Sequence, residues 1–211
     1  EQHFQQAREV VDRFGLQTAE RLNELPGTEQ VREQLLSETL GYYRHFVNRA
    51  RNNPQLRDEL AEAHFKSGVL AARLGHRERA EASYRQAEQI LSELCTQHVG
   101  DNDLQFRLSL VHNSLGLLHA AGGNAATSKE AYQRAIELGE QLVATDASAE
   151  HLNQLAETRA NYGMLLNRLG DAAGATAALD LAATTLEPLV NSQQAEPRHV
   201  RNLAICFNNL S

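Results

Sequence analysis

Three segments of the chain repeat one another at a nearly constant distance: HFKSGVLAARLGHRERAEASYRQA at 64–87, HNSLGLLHAAGGNAATSKEAYQRA at 112–135 and RANYGMLLNRLGDAAGATAALDLA at 159–182. Gly68, Gly116 and Gly163 stand 48 and 47 residues apart, and so do Gly75, Gly123 and Gly170, and Ala87, Ala135 and Ala182. A period of this size belongs to a solenoid, in which each unit buries its apolar face only against its neighbours. Such an array presents a long concave surface, and its expected work is to hold other proteins. The period does not name the partner.

Within each unit the spacing is fixed. From the first glycine, the second follows at +7, a small residue at +12 (Ala80, Ser128, Ala175), a large apolar residue at +16 (Tyr84, Tyr132, Leu179) and an alanine at +19. A glycine that ends one helix, with a new helix two residues later, predicts a tight αα-hairpin. The small residues let the two helices approach closely, and the Tyr or Leu fills the remaining hole. A lone glycine inside a helix costs about 1 kcal/mol; three in register point to packing.

This pattern resembles the tetratricopeptide repeat (TPR), whose small packing positions match Gly68, Ala80 and Ala87, then Gly116, Ser128 and Ala135, then Gly163, Ala175 and Ala182. The resemblance implies an all-α, TPR-like α-solenoid, a right-handed superhelix of antiparallel helix pairs. The usual TPR period is about 34 residues, so the 47–48-residue units here are long. The interval from first glycine to last alanine is constant, which puts the extra length between one unit's last alanine and the next unit's first helix. Each second helix is expected to run about two turns longer and each following first helix to start about two turns earlier, deepening the groove by ~10 Å at one edge.

Composition agrees with a helical chain: 211 residues, no Trp, four Pro and 42% hydrophobic residues. The net charge of −7 and the lack of a basic stripe argue against nucleic acid as a partner. Only Lys66 and Lys129 among the basic residues are lysines, which reads as codon bias. No run approaches the roughly 20 apolar residues that span a membrane, and no signal peptide is recognisable; the side of a membrane on which the chain works is left open. The pattern starts and stops in mid-repeat, which reads as a piece of a longer protein.

Helices are expected at about 2–24, 29–51, 54–74, 77–98, 103–121, 125–144, 149–169 and 172–191, with a ninth opening at Pro197. Their expected N-caps are Thr28, Asn53 before Pro54, Asn102 or Asp103, Asn124, Ser148 and Asp171. Leu60, Leu108, Leu155 and Leu203 match in the third, fifth, seventh and ninth helices, so the ninth begins a fourth repeat. The expected divisions are a divergent hairpin at 1–52, repeats at 53–100, 101–147 and 148–195, and the start of another at 196–211. The hairpin lacks the glycine pattern but keeps helical periodicity in Phe4, Ala7, Val11 and Phe14, and in Leu35, Leu36, Leu40, Tyr43 and Val47.

A second resemblance rests on AREVVDRFG (7–15), PGTEQVREQLL (26–36), LGYYRHFV (40–47) and PQLRDELAEAH (54–64). Together they look like the non-catalytic C-terminal region of large bacterial serine/threonine protein kinases, in which a kinase domain comes first, often a membrane-spanning helix next, and TPR arrays last. The implied role is the scaffolding or sensing arm of a signalling kinase, with ATP binding confined to the parent's kinase domain. A free-standing TPR adaptor that holds a peptide or helix in its groove is the alternative. The chain has no Gly-rich phosphate loop, His-Arg-Asp loop or Asp-Phe-Gly motif; Asp12-Arg13-Phe14-Gly15 falls inside an expected helix.

Site candidates are few. His64 and His112 share a repeat position, and His119 follows one heptad later; without an HExxH motif or Cys/His ligand spacing they suggest no metal. Cys95 and Cys206, far apart and without a CxxC motif, read as buried small hydrophobes. Glu59, Glu62, Glu130 and Glu137 read as solvated helix faces, and Ser109, Ser114 and Ser128 show no triad partners. No catalytic residue, metal or cofactor is expected. The TPR clamp for a peptide C-terminal carboxylate is expected to be absent, because its positions hold Phe65, Val69, Asn113, Leu117, Ala160 and Met164. The expected partner-binding groove is polar and weakly charged, formed by His64, His112, Asn113, His119, Asn161 and Asn167, and takes a protein or peptide. The ninth helix (Val200, Leu203, Ala204, Phe207) is expected to leave one apolar side uncovered and to support weak self-association.

Overall fold

Helices of this length gain most of their stability from packing an apolar face, not from propensity. The computed structural model describes residues 11, 18–22, 25, 27–50, 53–192 and 195–210, and among these there are nine α-helices and no strand. They are α1 (Thr18–Leu22), α2 (Glu29–Ala50), α3 (Arg57–Arg73), α4 (Arg77–Gln97), α5 (Asn102–Ala121), α6 (Ala125–Thr145), α7 (Ala149–Arg168), α8 (Ala172–Val190) and α9 (Pro197–Leu210). The third helix opens one turn later than expected, because Pro54–Leu56 forms a 3-10 turn first. Of the expected first helix, Phe4, Ala7 and Phe14 lie outside the described residues.

The chain divides into two compact bodies, Glu1–Ile90 and Leu91–Ser211, the division falling inside α4. In the first, α1 packs on α2 and α2 on α3, burying Leu36, Leu40 and Tyr43, while Leu35 and Val47 are half-buried. In the second, α5 pairs with α6 and α7 with α8; α6 lies on α7, α9 lies on α8, and α7 also touches both α5 and α9.

The hairpins close as the glycine pattern requires. The second glycine of each repeat sits just past the first helix with a left-handed backbone, at φ 75° for Gly75, 77° for Gly123 and 80° for Gly170, a conformation in which a Cβ is strained. The amide of the next residue then bonds back across the turn, as from His76 to Ala71 O at 2.8 Å and from Asp171 to Leu166 O at 3.0 Å. The first glycine allows close approach. A Cβ on Gly116 would lie 2.6 Å from the Tyr132 ring, and one on Gly163 would lie 2.8 Å from Leu179 Cγ. The small residue at +12 completes the contact. Ala80 and Ala175 are buried, and Ser128 donates its hydroxyl proton to the Gly116 carbonyl at 2.8 Å. The alanines at +19, Ala87, Ala135 and Ala182, are buried too.

The caps follow the short polar side chains. Asn53 accepts from Gln55 N–H at 3.0 Å, Ser148 from His151 N–H at 3.3 Å and Asp171 from Gly174 N–H at 3.0 Å. Three expectations change. The cap of α5 is Asp101, which accepts from Leu104 N–H at 3.1 Å, so Asn102 and Asp103 fall inside the first turn. Asn124 sits at the start of α6 without a side-chain cap bond. Thr28 turns its hydroxyl backward, donating to Leu22 O at 2.6 Å and Leu25 O at 2.7 Å, so it ties the α1–α2 turn.

Candidate functional site

The first helices of the later repeats, α5, α7 and α9, bound a hollow of about 450 Å³ within the second body. Two repeat positions supply much of its lining. Two residues before the matching leucine stand Phe106, Asn153 and Arg201; two residues after it stand Leu110, Glu157 and Ile205. A period-3.6 helix puts positions four apart on one face, and the long repeat aligns that face from helix to helix. Glu150, Gln154, Ala160, Asn161, Met164, Arg198 and Asn202 complete the wall.

Side-chain amides join neighbouring helices. Asn161 on α7 donates its amide to Asn113 on α5 at 3.3 Å, and Asn202 on α9 donates to Asn153 on α7 at 3.1 Å. Asn113 and Asn153 are both nearly buried, at 5% and 6% exposed, so the bonds also satisfy polar groups that water cannot reach. Phe106 is held by His151, whose ring centroid is 5.1 Å away and whose Nδ1 lies 2.9 Å from the Asp146 carbonyl oxygen.

The charges are mixed. Glu157 is half-buried, and burial holds its carboxyl above the usual carboxylate range against the smaller, opposing pull of Arg198. Arg198 pairs with Glu196 at 3.0 Å. Neither Glu157 nor Arg201 makes a hydrogen bond or ion pair with a described residue.

Of the groove residues expected from sequence, Asn161 lines the hollow and Asn113 anchors it from beneath. His112 is half-buried and outside the lining, and Asn167 is exposed near the end of α7. His119 is 2% exposed, so it packs inside the second body instead of facing a groove; one heptad keeps it on nearly the same side of α5 as the half-buried His112, but there the neighbouring helices cover it. His64 belongs to the first body, where burial pulls its pKa down. The wall is also more apolar and more charged than expected. Sequence reasoning passed over Asn153, Glu157, Arg201 and Asn202. Their signal was positional, since they differ in type but keep the register of Leu155 and Leu203.

Elsewhere, no group of His, Cys, Asp and Glu among the described residues could hold a metal ion, and none of their helices is long and apolar enough to cross a membrane. Cys206 is fully buried and Cys95 half-buried; both are free thiols, and burial raises both. The arrangement offers hydrogen bonds, apolar contact and two uncommitted charges, which is equipment for binding.

A tetratricopeptide repeat family model matches residues 61–90, the stretch that carries Gly68, Ala80 and Ala87. No curated protein sequence matches the chain. Among solved structures, the crystal structure of BtubC (BKLC) from P. vanneervenii is similar with a TM-score of 0.61 at 17% identity, over 94% of this chain and 84% of that one. The de novo designed helical repeat protein DHR64 is matched with a TM-score of 0.33 at 14% identity, over 95% of this chain and 92% of that one. The fold class is all-α and TPR-like, an α-solenoid type of fold that is typically non-catalytic.

Proposed function

We propose that this chain is a non-catalytic protein-interaction scaffold that holds a peptide or helix of a partner protein in the hollow along α5, α7 and α9. The observation that carries the reading is the amide pairing there. Asn113 with Asn161 and Asn153 with Asn202 leave further amide donors and acceptors beside Phe106, Leu110 and Ile205. Backbone amides of a bound segment need that combination, because each one removed from water must find a partner. Within this reading Asn161 is a contact residue and Asn113 its support, whereas His112 and Asn167 lie outside the lining and His64 belongs to the other body. The lining carries two acidic and two basic residues, so neither nucleic acid nor an anionic membrane surface finds a complementary field.

The test is selection of peptides from a random library on the 211-residue chain, followed by chemical-shift mapping of the tightest binder. The expected result is shifts confined to the Asn153, Asn161 and Asn202 side-chain amides and their neighbours. Binders that map to α6 and α8 instead would sink the reading.

The setting we propose is the scaffolding arm of a larger bacterial serine/threonine kinase, and its support is the sequence resemblance, which extends over the whole chain and is carried by the motifs between 7 and 64. A free-standing adaptor is the alternative, and reading the gene upstream of Glu1 for a kinase domain decides between them.

A further inference from the structure

The three helices that bound the hollow differ in chemistry at equivalent positions. At the two lining positions that flank the repeated leucine, α5 presents Phe106 and Leu110, α7 presents Asn153 and Glu157, and α9 presents Arg201 and Ile205. An apolar wall, an acidic floor and a basic wall therefore follow one another across about 450 Å³.

Two of these charges are uncommitted. Glu157 is half-buried, yet it has no ion pair or hydrogen bond with a described residue, and neither does the exposed Arg201. The nearby cation Arg198 is already engaged by both carboxylate oxygens of Glu196, at 3.0 and 3.2 Å. Arg198 offsets only part of the cost of burying Glu157, so a half-buried carboxylate with no ion pair or hydrogen bond of its own destabilises the empty site, and a ligand cation would relieve that cost. An anion seated only on Arg201 would leave Glu157 uncompensated and bring a like charge toward it.

Resting on the proposed binding role of this hollow, we infer that its occupant is a peptide segment of a partner protein that presents three side chains in order: an apolar one against Phe106 and Leu110, a basic one to Glu157, and an acidic one to Arg201. The order is set by the helices, which are consecutive repeats, so the ligand runs across α5, α7 and α9 and not along one of them. The Asn153 and Asn202 amides, bonded to each other in the same lining, supply the remaining donor and acceptor for its backbone. Charge placement then fixes the register of the segment, and the apolar wall fixes its polarity.

The experiment compares peptides selected from a random twelve-residue library on wild type, Glu157→Gln, Arg201→Gln and the exchange variant Glu157→Arg/Arg201→Glu, with affinities read by fluorescence anisotropy. The expected result is enrichment of an apolar–basic–acidic order, with affinity falling about tenfold for Glu157→Gln and about threefold for the more exposed Arg201→Gln. The exchange variant should prefer peptides in which basic and acidic residues are interchanged. This reversal cannot come from a merely misfolded site. Peptides that shift the Asn161 and Asn202 amides but bind all four proteins equally would overturn the charge order and leave the scaffold reading standing. Peptides that shift neither amide would overturn both.

Discussion

The sharpest expectation concerns the packing glycine of the second repeat. Gly116 is buried in α5, and a Cβ there would stand 2.6 Å from Tyr132 Cδ1 and Cε1 and 2.9 Å from Cγ. Carbon atoms pack at about 3.5–4.0 Å, so in Gly116→Ala the ring must retreat by roughly 1 Å. It has little room: Tyr132 is 1% exposed and its ring centroid lies 6.2 Å from that of Tyr162. Overpacking of this kind costs about 1–3 kcal/mol, and a ring held on both sides belongs in the upper half of that range. Ala gains about 1 kcal/mol over Gly in a helix interior, so the net expectation is a loss of about 1–2 kcal/mol. Gly41 in α2 is the internal control: it is exposed and has nothing within 4 Å of a Cβ. Gly41→Ala should therefore stabilise by about 0.4–1 kcal/mol. Urea unfolding followed by far-UV circular dichroism measures both. The two substitutions should move the midpoint in opposite directions, and Gly116→Ala should lose its penalty in a Tyr132→Ala background. If Gly116→Ala stabilises as Gly41→Ala does, close helix approach is not why the repeat carries glycine there.

Other expectations follow from the same contacts. Ala135→Leu should cost about 1–3 kcal/mol because Ala135 is 2% exposed, whereas Arg134→Ala, at a side chain 70% exposed and paired only with Glu137, should cost less than ~0.5 kcal/mol; equal urea midpoints would refute the register. Asn153→Ala strands the amide of Asn202 and should cost about 1–2 kcal/mol, seen first as faster hydrogen exchange in α9; uniform acceleration across α7 and α8 would count against that link. Burial raises the Glu157 carboxyl, so the folded chain keeps its proton to higher pH than the unfolded chain, and stability falls as pH climbs from the unfolded pKa of about 4.3 through the folded value. Glu157→Gln should thus be the more stable protein near neutral pH, with the difference closing near pH 4; urea midpoints at the two pH values check the sign, and a wild type that is more stable at neutral pH would contradict it. On α9, Val200 and Phe207 are each 51% exposed and Ile205 37%, so light scattering should show weak, concentration-dependent association that Phe207→Gln reduces; a strictly monomeric wild type would refute it.

What the sequence determined was the turn geometry and the close helix contact inside each hairpin. Gly75, Gly123 and Gly170 mark turns because only glycine takes a left-handed backbone without strain. Gly116 and Ser128 mark a helix crossing because a larger side chain would collide with Tyr132 or displace the bond to the Gly116 carbonyl. These constraints act over one hairpin, so they recur at a fixed period and can be read without coordinates. The hollow could not be read that way. Its residues come from helices one full repeat apart, and the same lining position is filled by Phe106, Asn153 and Arg201 in turn. A pattern search looks for sameness, and here the site lies in positions that keep register while changing chemistry. His119 shows the converse: its spacing from His112 suggested a shared groove, but the packing of α5 on both α6 and α7 buried it. Which face of a helix meets another helix, and which is left open to a partner, is decided only when the neighbouring repeats pack, because burial is a property of the assembled layers and not of any one helix.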